Sequence, residues 1–164
     1  MKVIIRKAFP EESEVLTQIS FASKHIWNYP EEYFEVWKNE LTITPEYIQK
    51  NIVTIAESDH KILGYYSIVK NEQDFWAGKI FVMKGYWLEH IFIRPEFIKK
   101  GVGTQLIRNV QKTCKEHGIE RIYIFSDPNA KGFYEKTGAE YIKESPSSIE
   151  GRTVSLFEMK IKLT

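Results

Sequence analysis

One stretch constrains this chain more than any other: Leu88-Glu89-His90-Ile91-Phe92-Ile93-Arg94-Pro95-Glu96-Phe97-Ile98-Lys99-Lys100-Gly101-Val102-Gly103-Thr104-Gln105-Leu106. An apolar run stops at a proline, a short basic loop with two glycines follows, and Val102, Leu106, Val110 and Cys114 then recur every four residues. That pattern predicts a strand entering a helix through a glycine loop. The first N–H groups of a helix lack intrahelical partners and lie at its positive end, so the junction suits an anion. Gly101 and Gly103 let a phosphate approach the backbone without a Cβ in the way, and Lys99 and Lys100 add positive charge. A plain strand-to-helix turn would also use glycine for its φ freedom, but would not need the lysines. Two nucleotide motifs fail here. A Walker A loop needs Lys and then Ser or Thr after its last glycine, whereas Thr104 follows Gly103 directly. A dinucleotide fingerprint needs a third small residue where Leu106 stands.

The rest of the chain frames this junction. Its 164 residues, 43% hydrophobic and 27% charged, fit a single globular domain over residues 1–164. Twenty-three Lys and Arg against 22 Asp and Glu give a formal charge of +1, so no global field draws the chain to nucleic acid or to an anionic membrane. No run approaches the roughly 18 apolar residues of a membrane span, and the first residues lack the apolar core of a signal peptide. A cytoplasmic location is expected. The lone Cys114 precludes an internal disulfide, and the four histidines are too scattered for a metal site, so no metal is expected. Val3 to Arg6 reads as a strand, and Glu11 to His25 as a helix with Val15, Ile19, Ala22 and Ile26 on one face. Pro30 opens a second helix whose apolar face is Tyr33, Phe34, Trp37 and Leu41; Thr44-Pro45 starts a short third. Ile52 to Glu57 and Ile62 to Val69 form a hairpin, Phe75 to Met83 continues the meander, and Tyr86 to Ile93 follows. Ile119 to Phe125 reads as a strand buried on both faces, and Asp127-Pro128 caps a helix to about Lys136. Alternation from Phe157 to Leu163 closes a mixed-sheet α/β domain.

Two segments together resemble the GNAT N-acetyltransferase superfamily. The first is Ile93-Arg94-Pro95 followed by Gly101-Val102-Gly103, with Ile98 where the family usually has Arg or Gln. The second is Asp127-Pro128-Asn129-Ala130-Lys131-Gly132-Phe133-Tyr134-Glu135-Lys136-Thr137-Gly138-Ala139, with Ala139 where Phe is commoner. They stand about 25 residues apart with a helix and a strand between, which is more specific than either alone. The resemblance implies a mixed β-sheet flanked by helices, with splayed central parallel strands around Ile91–Ile93 and Ile122–Phe125. It implies acetyl-CoA as the acetyl donor. Its pyrophosphate would be gripped by Lys99, Lys100, Gly101, Val102, Gly103 and Thr104, and its pantetheine amides paired with Ile91, Phe92 and Ile93. Asn129 matches a cofactor-contacting asparagine, although Asp127 could hold that place.

Acyl transfer to an amine needs a proton acceptor and a donor for the departing thiolate. By resemblance Tyr134 is the donor, while adjacent Phe133 is the better core residue. Glu89 is the base candidate: period-two alternation puts it on one face with Ile91 and Ile93, opposite Leu88, His90 and Phe92. His90 is its rival, since imidazole suits neutral pH. Trp27 and Tyr29, in the turn before Pro30, together with Glu89, are the acceptor-binding candidates. Tyr33 and Trp37 read as core, and Glu31, Glu32 and Glu35 could attract a cationic amine. The loop from Ser145 to Arg152 could close over the site. Cys114 repeats on a helix face and reads as a buried, inert thiol. The expectation is an N-acetyltransferase acting on a primary amine of a small molecule or peptide in a ternary complex. From another class, the rival is a catalytically silent acyl-CoA-binding module for sensing or assembly. Exposed strand edges also suggest a homodimer.

Overall fold

A computed structural model describes residues 1–163. The strands are β1 (Ile4–Lys7), β2 (Ile52–Ser58), β3 (Lys61–Asn71), β4 (Phe75–Ala77), β5 (Ile80–Val82), β6 (Gly85–Ile93), β7 (Arg121–Ser126), β8 (Glu140–Pro146) and β9 (Thr153–Lys160). The helices are α1 (Ser13–His25), α2 (Glu31–Leu41), α3 (Pro45–Lys50), α4 (Val102–Glu116) and α5 (Lys131–Lys136). Seven strands form one mixed sheet in the order β1-β2-β3-β6-β7-β9-β8. The fold is mixed α/β, as expected. Contacts gather the chain into two compact units, Met1–Ile68 with His90–Val110, and Val69–Glu89 with the chain from Gln111 onward. No helix among the described residues is long and apolar enough to cross a membrane.

In the first unit, β1, β2 and β3 run antiparallel. Asp59 and His60 both take positive φ, 50° and 63°, in the two-residue turn that joins β2 to β3. Such a turn matches the right-handed twist of a hairpin. Thr44 caps α3 by accepting from the Tyr47 N–H at 3.0 Å. A core forms around Leu16, Ile19, Ile43, Ile48, Val53, Ile55 and Tyr65. The buried face of α1 differs from the expected one: Ser13, Leu16, Ile19 and Ser20 are buried, whereas Ile26 is 37% exposed. Hydropathy misses Ser20 because its polarity is satisfied inside the fold, by the Leu16 carbonyl at 3.0 Å one turn back and by the Tyr65 hydroxyl of β3 at 2.6 Å. The chain also enters α1 through a 3-10 turn, Pro10–Glu12. There Glu12 and Glu57 share the Arg6 guanidinium, which holds the Glu12 carboxyl below its ordinary range.

The second unit corrects two further expectations. The segment Phe75 to Met83 is not a strand of the meander, because it folds back at Gly78 (φ 61°) into a separate β4–β5 hairpin. β7 alternates buried with half-buried residues rather than being sealed on both faces. It pairs antiparallel with β9 along its length. With β6 it pairs in parallel at only two positions, Tyr86↔Ile122 and Trp87↔Tyr123, although β6 runs on to Ile93 and β7 to Ser126. The expected parallel pair is thus present, with its ladder at Tyr86 and Trp87. Trp87 rests on the Tyr123 and Phe125 rings, at 5.3 and 4.6 Å, and donates from its indole to the Met83 carbonyl at 2.8 Å.

Candidate active site

The strand-to-helix junction lies in the first unit. Arg94 anchors the end of β6 to β3: its backbone N–H donates to the Leu63 carbonyl at 2.8 Å, and its Nε donates to the Ile62 carbonyl. A 3-10 turn, Pro95–Phe97, then leads to Lys99 and Gly101, at φ 64° and 83°. A Cβ on Gly101 would meet nothing within 4 Å, so that glycine serves backbone conformation rather than space. The first hydrogen bond of α4 runs from the Gln105 N–H to the Gly101 carbonyl at 3.1 Å. The N–H groups of Val102, Gly103 and Thr104 therefore precede the helical ladder, at the positive end of fifteen aligned peptides. Lys99 and Lys100 are exposed beside them. The Phe97 ring lies within reach of two ammonium groups, Lys61 at 5.3 Å and Lys100 at 5.6 Å.

Alternation along β6 sorts the two base candidates. Glu89 is exposed and His90 is only 6% exposed. His90 Nε2 lies 2.6 Å from the Glu40 carbonyl, near the end of α2. A carbonyl can only accept, so Nε2 carries the proton and Nδ1 is the acceptor. Nδ1 faces the Ser67 hydroxyl at 2.8 Å and the Tyr47 hydroxyl at 3.2 Å, and Tyr47 donates to Ser67 at 2.9 Å. His90 is thus engaged through both ring nitrogens in a buried chain from Tyr47 to the α2 terminus.

Tyr134 lies in the second unit, on α5. The buried ring is Tyr134, 5% exposed, while Phe133 is half-buried, which reverses the expected order. The reason is the α5 face turned to β9, where the Tyr134 and Phe157 ring centres lie 5.8 Å apart. Burial, reinforced by the charge of Asp127, pushes the Tyr134 phenol well above its ordinary range. The hydroxyl therefore stays protonated at working pH. Asp127 caps the preceding turn: its Oδ1 accepts from the Asn129 backbone N–H at 2.8 Å and from Asn129 Nδ2 at 3.1 Å. The two cofactor-contact candidates are thus joined to each other. Cys114 is fully buried, and burial pushes its thiol up to about 11, which is incompatible with a nucleophilic thiolate near neutrality.

Of the two aromatic acceptor candidates, Trp27 is 46% exposed and Tyr29 half-buried. Tyr29 joins Tyr33 and Trp37 in one ring cluster, with centroids 5.1 to 6.0 Å apart. Ser147 pins the loop from Ser145 to Arg152, since its N–H donates to the Arg152 carbonyl at 3.0 Å and its hydroxyl to the Ile149 carbonyl at 2.9 Å. Ile149 is buried, so this loop is an anchored turn.

With these parts in place, the comparison with known proteins is decisive for the family. The model of the acetyltransferase (GNAT) family matches residues 14–139, most of the chain and both quoted segments. This chain belongs to the GNAT family. It is 32% identical over 90 residues to the L-ornithine N5-acetyltransferase of Arabidopsis thaliana, covering 53% of this chain but only 37% of that protein's length. The fold resembles that of a GCN5-related N-acetyltransferase from Rhodopseudomonas palustris, with a TM-score of 0.75, 19% identity, and 98% and 97% of the two chains covered. It also resembles the PaiA N-acetyltransferase of Thermoplasma acidophilum, solved in complex with coenzyme A, at a TM-score of 0.74 and 20% identity over 98% and 99% of the chains.

The GNAT family assignment leaves the individual residues distributed as follows. Ile91, Phe92, Ile93 and Lys99 through Thr104 share the first unit with Trp27 and Tyr29, while Glu89, Asn129 and Tyr134 belong to the second. Two further residues, Gly64 and Lys24, stand beside candidate residues without belonging to either motif. Gly64, inside β3, faces the β6 backbone, and a Cβ there would stand 2.7 Å from the Phe92 oxygen. An interior strand glycine is the signal that could have marked this approach. Lys24 places its ammonium over the Trp37 ring at 4.5 Å, and no local pattern announces that contact.

Proposed function

We propose that this chain transfers the acetyl group of acetyl-CoA to a primary amine of a small molecule or peptide, with both substrates bound together. The observation that carries the reading is the end of β6 passing through Lys99–Thr104 into the first turn of α4, in a chain of the GNAT family. In this reading the N–H groups around Gly101 to Thr104 receive the pyrophosphate, with Lys99 and Lys100 beside it. Main-chain groups of Ile91, Phe92 and Ile93 pair with the pantetheine amides, and one N–H polarises the thioester carbonyl. Asn129 adds a further donor-side contact. The neutral amine attacks the carbonyl carbon, the C–N bond forms, and the amine proton passes to Glu89 directly or through water. The C–S bond then breaks, and the sulfur takes the proton of Tyr134 as CoA leaves. Glu89 is favoured over His90 because His90 is sealed and occupied through both nitrogens. Trp27 and Tyr29 border the acceptor. A cytoplasmic homodimer belongs to the same reading, supported by the single buried thiol and by the exposed Tyr141 and Ile142 on edge strand β8.

The direct test is release of free CoA thiol from acetyl-CoA against a panel of diamines, amino acids, aminoglycosides and peptide N-termini. Tight acetyl-CoA binding with no turnover on any amine would leave only the silent binding module. Two variants test individual parts. Gly103→Glu is expected to lower acetyl-CoA affinity by about 100-fold or more in calorimetry, since it adds both bulk and negative charge where the pyrophosphate would lie. An intact circular dichroism spectrum with unchanged affinity would remove the loop assignment. Glu89→Gln keeps the shape and removes the base, so turnover should fall at neutral pH. It should recover in part as pH rises and more amine is already neutral. A flat ratio to wild type across pH would transfer the role to water.

A further inference from the structure

Lys24 closes the last turn of α1, and its ammonium is folded back onto aromatic rings, 4.5 Å from the centre of Trp37 and 5.8 Å from that of Tyr29. Tyr29 and Tyr33 meet Trp37 edge-on, at 5.1 and 5.6 Å, and stand 6.0 Å from each other. Two rings thus face the ammonium, and Tyr33 packs against both of them. Aromatic faces attract a cation within about 6 Å, and the attraction grows as water is excluded. Here Trp37 is 5% exposed, so its ring is largely shielded from water. A lysine ordinarily keeps its ammonium in water while its stem covers apolar surface. Turning the charge toward the rings gives up hydration and rotamer freedom, which its surroundings must offset. The chain's own side chain thus sets an alkylammonium against these rings. Lys24 hangs on a flexible four-carbon stem and is only half-buried, so it can withdraw.

We propose that Tyr29, Tyr33 and Trp37 form a cation subsite for the acceptor, occupied in the unliganded protein by Lys24 as an internal competitor. The proposal rests on the reading of the chain as an amine acetyltransferase, and it narrows the acceptor class. An amine must be neutral to attack the thioester, whereas this cage selects a charged nitrogen. The nitrogen held by the rings is therefore not the one acetylated. The acceptor carries at least two amines, one reacting and one anchoring, as in a diaminoalkane. A tethered competitor raises the apparent dissociation constant in inverse proportion to the fraction of time the cage stands vacant. Removing it should tighten cation binding and leave neutral ligands indifferent.

The experiment uses choline, a cation without a reactive amine, against its uncharged carbon isostere dimethylbutanol. Binding is followed on the Trp37 indole N–H resonance, assigned with Trp37→Phe. Lys24→Ala is expected to bind choline about tenfold more tightly than wild type, and dimethylbutanol to bind neither. Tyr29→Leu in the Lys24→Ala background, placed on the turn where the fold is least at risk, should reverse the gain. In acetyl transfer, Lys24→Ala should raise the kcat/KM ratio of a diaminoalkane over the alkylamine of equal length about tenfold. Equal binding of choline and its isostere, or no gain in Lys24→Ala, would overturn the cage. Tight choline binding by Lys24→Ala with no acetylation of either amine would uphold the cage and overturn the catalytic reading instead.

Discussion

Tyr134→Phe is expected to lower kcat by about 10²–10⁴ while leaving the KM for acetyl-CoA nearly unchanged. A group that donates its proton only as the C–S bond breaks stabilises the transition state and adds little to ground-state binding. The ring itself is retained, so its contact with Phe157 and the packing of α5 remain. Burial has two consequences for this residue. It keeps the phenol protonated at every ordinary assay pH, so the ratio of wild-type to variant turnover should be flat from pH 6 to 9. It also widens the gap to a CoA thiol, whose ordinary value is near 8.5. The proton must then move in concert with C–S cleavage, when the sulfur is most basic. The same shift sets a stability signature. A phenol whose folded value lies above its unfolded value of about 10 lends stability that is fully present below pH 10 and is withdrawn as pH rises toward the folded value. Tyr134→Phe should lose that part of the alkaline decline, as read by denaturant unfolding at pH 8 and pH 11. Wild-type kcat in the variant would make the ring structural and leave thiolate protonation to solvent.

Gly64→Ala is expected to destabilise the protein by about 1–3 kcal/mol, a fall in Tm of several degrees for a chain of this length. The added Cβ would stand 2.7 Å from the Phe92 carbonyl oxygen and 2.8 Å from Ile93 Cδ1. The isoleucine methyl can rotate away, but the carbonyl belongs to β6 and moves only with its strand. Because Phe92 and Ile93 are proposed to hold pantetheine through their main chain, the KM for acetyl-CoA should rise together with the stability loss. Gly132→Ala is the control: it lies in α5 with nothing within 4 Å of a Cβ, and alanine favours a helix over glycine. That variant should be neutral or slightly stabilised. A Gly64→Ala protein with unchanged Tm and KM would mean that β6 yields there without consequence.

These two residues show what the sequence disclosed and what it withheld. The junction at Gly101 and Gly103 was legible because strand, glycines, lysines and helix start are consecutive, and the parallel strands followed from the family resemblance. Of the expected α2 face, Phe34, Trp37 and Leu41 are buried and Tyr33 is half-buried, since helical period records burial closely but not to the residue. Features that depend on distant partners were silent. The buried face of α1 turned on Ser20, whose hydroxyl meets Tyr65 forty-five positions away. His90 looked like a base because an isolated imidazole suggests one, and only the approach of Ser67, Tyr47 and Glu40 gives it a structural occupation. The order of Phe133 and Tyr134 was misread because six residues of α5 are too few to establish a period. The hairpin of β4 and β5 was merged into one strand because its turn, at Gly78, lay inside an otherwise aromatic and β-branched run.

The alternation of β6 bears on how such a protein can diverge. Glu89 faces outward and His90 inward on consecutive residues, so neighbouring codons answer to different demands. A change at the exposed Glu89 alters the base proposed for the reaction and removes no side chain from the core. A change at His90 removes an acceptor beside the buried Ser67 hydroxyl and the Nε2–H that meets the Glu40 carbonyl at once, a cost that no gain in activity readily offsets. Laboratory evolution toward new acceptors should therefore accumulate substitutions at one position of this pair and purge them at the other.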